Sequence, residues 1–144
     1  MINELHLPES LQLKTPGFEL VMTILEIDRN ILPSLKLEVS CNLAHAIGNF
    51  LYQADDIWID YEAIDSFISN LGNLSHKETG LALLTCMDRA LRFELTKRPD
   101  SLKIRLIITE QQPNQSEIQM MATFISPDLT LFKTWHRQFI QFRG

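Results

Sequence analysis

Five carboxylates, Asp55, Asp56, Asp60, Glu62 and Asp65, fall within eleven residues that contain no base. Oxygen donors at that density suit two kinds of chemistry: ligation of a hard cation such as calcium or magnesium, or a negative field that steers a basic protein partner into register. Ligation needs three or more converging donors. The segment has neither the acid spacing of an EF-hand loop nor a glycine at the turn such a loop requires, so no metal is expected. A plainer reading competes with steering, because the helix dipole favours acids at a helix N-terminus by about 0.3–1 kcal/mol each. It suits Asp60, Glu62 and Asp65 and explains Asp55 and Asp56, which precede the helix, less well.

The other reactive side chains form no motif. His6, His45, His76 and His136 are scattered, with no HExxH or His-x-His pair, and Cys41 and Cys86 lack a CxxC partner. Cys41 continues the apolar face of Leu35, Leu37 and Val39, the setting of a buried, inert thiol. There is no G-x-S-x-G elbow, and the five glycines supply neither G-x-G-x-x-G nor a P-loop. No catalytic residue, metal or cofactor is therefore assigned. Triads do assemble from distant positions, so an enzymatic or small-ligand-binding domain stays open as an alternative, as does a structural or assembly role through exposed edge strands.

Charge is unevenly spread. Residues 1–87 hold 12 acids and 4 bases, whereas residues 88–144 hold 6 acids and 9 bases. Nucleic acid is not an expected partner, because the net charge is −5 and Arg89, Arg92, Lys97, Arg98, Lys103 and Arg105 are interleaved with Asp88, Glu94 and Asp100. Alternation with core leucines marks Arg92, Glu94 and Thr96 as the solvent face of a sheet. The segments LALLTCM and IRLII fall far short of the ~20 apolar residues that span a bilayer, and MINELHLPES lacks the basic and apolar regions of a secretory signal. The expected location is the cytoplasm, with no membrane partner.

These residues must be positioned by one domain, since 144 residues suffice for a sizeable core. Residues 1–17 read as an irregular lead-in and 18–144 as a single α+β domain. Phe18, Leu20, Met22 and Ile24 recur with period two, as do Leu35, Leu37, Val39, Cys41 and Leu43, which predicts strands with one buried face. AHAIGNFLYQ leans towards a bent or bulged strand, and a short strand follows at Ile57–Ile59. Asp60 then caps a helix over 60–71, whose Ile64, Phe67, Ile68 and Leu71 share one face and whose end is set by Gly72.

From Leu81 to Phe124 the period returns to two through four strands, with turns at Met87–Asp88, Arg98–Ser101 and Pro113–Ser116. Ser126-Pro127-Asp128 reads as the start of a second helix over 127–141, carrying Leu131, Trp135 and Phe139 inward. Met120 is expected to face the core and Met121 the solvent. The predicted architecture is an antiparallel meander of about six or seven strands with both helices packed on it.

The succession IWIDYEAIDSFISNLGNL, GLALLTCMDRALRFELTK, SLKIRLIIT and EIQMMATFISPDLTLFKTWHRQFIQF resembles the WapI-like immunity proteins and related uncharacterised bacterial domains over roughly residues 57–142. The resemblance implies a strand, helix, sheet and terminal-helix order without catalysis. It also implies neutralisation of a partner toxin by binding. Joined to the charge count, it makes Asp55, Asp56, Asp60, Glu62 and Asp65 the expected contact surface for a basic, toxin-like protein. Oligomeric state is not legible.

Overall fold

Side chains that alternate along an extended chain separate into an apolar and a polar face, and most of this chain does so. The computed structural model describes residues 9–111 and 113–144, apart from the side chain of His45. The elements are β1 (Ser10–Thr15), β2 (Phe18–Asp28), β3 (Ser34–His45), β4 (Gly48–Asp60), α1 (Tyr61–Asn73), β5 (Gly80–Thr85), β6 (Leu91–Lys97), β7 (Leu102–Gln111), β8 (Glu117–Ser126) and α2 (Leu131–Arg143). The strands form two four-stranded antiparallel sheets, β1-β2-β3-β4 and β5-β6-β7-β8, each in sequence order.

The single meander of six or seven strands is thus corrected to two sheets of four. The reason lies between them: α1 and a 3-10 turn at Leu74–His76 intervene, and α1 packs along β5. A backbone hydrogen bond also links the two sheets, from Met87 N–H to the Trp58 carbonyl at 2.8 Å. The lead-in is also corrected. Leu11 and Leu13 are buried because Ser10–Thr15 pairs with β2, through a turn at Pro16-Gly17 that requires the positive φ of Gly17 (+83°). Residues 1–8 lie outside the described residues.

The inner faces meet at an aromatic centre. Phe18 of β2 stacks on Phe93 of β6 with ring centroids 6.4 Å apart, and Phe67 of α1 and Trp135 of α2 lie 6.1 and 6.2 Å from the same ring. Phe67 also meets Phe139 of α2 edge-on at 4.8 Å. Both helices therefore pack into the core that the sheets share, and truncating Phe67 or Phe93 to Ala would cost about 3–5 kcal/mol. Trp135 and Phe139 are core, as their helical spacing predicts.

Two helix ends differ from expectation. Gly72 does not end α1, which runs through Asn73 and caps on Leu74 in a right-handed conformation. Instead it leaves room for His136, since a Cβ there would sit 3.2 Å from His136 Nε2. The second helix starts at Leu131 rather than Pro127. Asp128 Oδ1 accepts from Thr130 N–H at 2.9 Å, and Ser126 Oγ accepts from Asp128 N–H at 3.1 Å, so these side chains build a turn before the helix.

Candidate interaction surface

The five clustered acids do not share one surface. Asp60 turns its carboxylate onto the start of α1, where Oδ1 accepts from Ala63 N–H at 2.6 Å, the N-cap its position predicts. Asp65, one turn further, binds Arg143 near the end of α2, with Nε 2.7 Å from Oδ1 and Nη2 3.3 Å from Oδ2. Glu62 is exposed in the first turn of α1. The fold thus uses Asp60 and Asp65 internally, whereas Asp55, Asp56 and Glu62 stand exposed on the surface.

Asp55 and Asp56 owe their placement to a bulge. On β4, Ala54 opposes Val39 and Ile57 opposes Leu37, so both Asp55 and Asp56 lie across from the single residue Glu38. Strict alternation from Tyr52 and Ala54, on the inner face, would turn Asp56 into the core and Ile57 out to solvent. Burying an unpaired carboxylate is prohibitive, and inserting one extra residue resets the phase so that both acids stay exposed while Ile57 and Ile59 are buried. Glu38 completes a group of three carboxylates, and it was absent from the sequence-derived set. The signal was legible: the apolar phase changes between Ala54 and Ile57.

The group belongs to a broader field. The outer face of the first sheet carries Glu19, Glu26, Glu38, Asp55 and Asp56 against Lys14 and Lys36. Lys36 Nζ lies 3.1 Å from Glu26 Oε2. Its ammonium is held above its ordinary range, chiefly by that hydrogen bond and further by the charges of Glu26, Asp56 and Asp55. The opposite outer face, on the second sheet, carries Arg92, Lys103 and Arg105, with Glu94 paired to Arg92 at 2.8 Å. The molecule therefore presents faces of unlike charge.

Among the described residues no three His, Cys, Asp or Glu side chains, Glu38, Asp55 and Asp56 included, are arranged to hold a metal ion. The thiols are poor nucleophiles as placed. Burial pushes Cys41 up to about 12, and burial together with the Asp88 carboxylate raises Cys86, whose Sγ donates to Asp88 Oδ1 at 2.8 Å. In return, that bond holds Asp88 below the usual carboxylate range. Among the described residues no helix is long and apolar enough to cross a membrane. Comparison with family models, curated proteins and solved structures returns no match.

Proposed function

We propose that this chain is a non-enzymatic protein-binding domain that captures a basic, toxin-like protein through the outer face of its first sheet, at Glu38, Asp55 and Asp56. The observation that carries the reading is the β4 bulge, which sets two consecutive carboxylates side by side on solvent instead of sacrificing one to the core. Bulges are common on edge strands, of which β4 is one, and re-aim side chains there. Clustered surface charges of one sign accelerate encounter with an oppositely charged partner and help select its register.

Asp55 and Asp56 enter this surface together with Glu38, which strand pairing sets across from them. Asp60 and Asp65 contribute indirectly, by fixing the helix that follows β4. The immunity-protein resemblance supplies the class of partner. No cofactor or metal enters it.

The test uses the protein encoded by the open reading frame next to this one, with association rates measured across a salt series. Capture is expected, and D55N/D56N should slow association at least tenfold at low salt while removing most of the salt dependence. D60N, which retains a capping oxygen, should leave both unchanged. Absence of binding, or unaltered kinetics in D55N/D56N, defeats the proposal.

A further inference from the structure

An edge strand ordinarily carries some device against pairing with another chain, such as a covering element, an inward charge, a proline or a bulge. The edge strand β1 is covered by α2, whose Gln138 Nε2 donates to the Gln12 carbonyl at 2.9 Å. At the far side of the other sheet, β8 has no such device among the described residues. Among the described residues it pairs with β7 alone, its register with β7 is unbroken, it contains no proline, and Glu117 is its only charge.

The backbone groups that face this edge follow from the register. Thr109 N–H donates to the Ala90 carbonyl and Arg98 N–H donates to that of Ser101, each at 2.8 Å, so the odd-numbered residues of β7 hydrogen-bond towards β6 and the even-numbered ones towards β8. Ile108 opposes Met120, Leu106 opposes Ala122 and Ile104 opposes Phe124. The even residues of β8 are thereby used, and Gln119, Met121, Thr123 and Ile125 direct N–H and C=O to the open side. Their side chains stand on the outer face, where Met121 and Ile125 are 62% and 60% exposed. A cleft of about 430 Å³ runs along this edge between Gln119–Phe124 and the apolar residues Leu43, Ala44 and Phe50.

We infer that the occupant of this edge is β8 of a second copy, paired antiparallel about a two-fold axis at Met121. That register places Met121 against the partner's Met121, Gln119 against the partner's Thr123 and Glu117 against the partner's Ile125, so every outward backbone group on Glu117–Ile125 finds a complement. No other antiparallel register matches so many. The charges agree with it. Lys103 neighbours Ile125 on the outer face, so the partner's Glu117 joins the row Lys103, Ile125, Glu117 with opposite sign, and symmetry repeats the row at the other end. The central row, Ile107 and Met121 from each copy, is apolar. The inner-face residues Met120 and Ala122 of the incoming strand are uncharged, as a cleft lined by Leu43 and Phe50 requires. The result is a continuous eight-stranded sheet across the dimer, on the opposite side of the molecule from the acidic face and independent of it.

Sedimentation velocity on the full chain tests this directly, with a concentration-dependent dimer as the expected result. M121K, which sets two ammoniums on the axis, should shift the protein to monomer with unchanged circular dichroism. M121C supplies a second readout, because residues facing each other in a hydrogen-bonded antiparallel pair have Cα atoms about 5.5 Å apart, inside disulfide range. It should cross-link on mild oxidation, and Q119C, about 13 Å from its own symmetry mate by strand rise, should not. A monomer at all concentrations, a dimer that survives M121K, or cross-linking through Q119C rather than M121C overturns the inference.

Discussion

Arg143 joins the last turn of α2 to the first two turns of α1: its guanidinium binds the Asp65 carboxylate with Nε 2.7 Å from Oδ1, and it lies 4.6 Å above the ring of Tyr61. An acid that reads as part of a binding cluster is thus bound within the molecule. Both partners are substantially solvated, with side chains 36% and 52% exposed, so water screens the pair. A bidentate guanidinium that also covers an aromatic ring nevertheless sits at the upper end for surface pairs.

The expected coupling between Asp65 and Arg143 is therefore about 0.5–1 kcal/mol, weakening as salt rises. A double-mutant cycle of D65A and R143A by urea denaturation measures it. A coupling near zero would mean that Asp65 is as free as Asp55, and the narrowing of the contact surface would fail. R143A alone should cost more than the coupling, because it also uncovers Tyr61.

Much of the scaffold is legible in the residues. Alternation identifies the inner faces of β2, β3, β6, β7 and β8, and the cap at Asp60 marks the start of α1. The division into two sheets is not legible, because alternation shows which face of a strand is buried and not which strand lies beside it. The lead-in hid β1 because only Leu11 and Leu13 alternate there, too short a run to stand out without its partner β2. At the candidate surface, clustering along the chain misled: Asp55 and Asp65 are ten residues apart, yet the second is absorbed by Arg143, which lies 78 residues further on. Glu38 went unnoticed for the converse reason, since only strand pairing brings it to Asp55 and Asp56.

Cys41 makes the protein sensitive to base. Its thiol is buried and held up to about 12, whereas in the unfolded chain it ionises near the ordinary thiol value of about 8.5. Above that value the unfolded state releases a proton that the folded state retains, so stability falls as pH rises, by roughly 2 kcal/mol at pH 10 from this group alone. Denaturant midpoints at pH 7.5 and pH 10 for the natural chain and for C41V isolate it. The loss between the two should be smaller in C41V by about that amount. An equal loss in both would mean that Cys41 ionises in the folded protein.

The bulge yields the sharpest structural test, because it makes one deletion in β4 harmless and a neighbouring one costly. Removing Asp56 leaves Asp55 alone across from Glu38, with Ala54 still against Val39 and Ile57 still against Leu37, so every inward residue keeps its place. Removing Gln53 forces a choice between turning the half-buried Tyr52 outwards and sliding the start of β4 along β3, since a shift of one residue exchanges the faces of a strand. Deletion of Asp56 should change stability by less than about 1 kcal/mol, and deletion of Gln53 should cost several times more, in keeping with loss of buried apolar contacts. Thermal or urea unfolding of the two variants decides the matter. If the Asp56 deletion is the more damaging, the two acids do not share one position across from Glu38. If it is well tolerated, the extra carboxylate is dispensable to the fold.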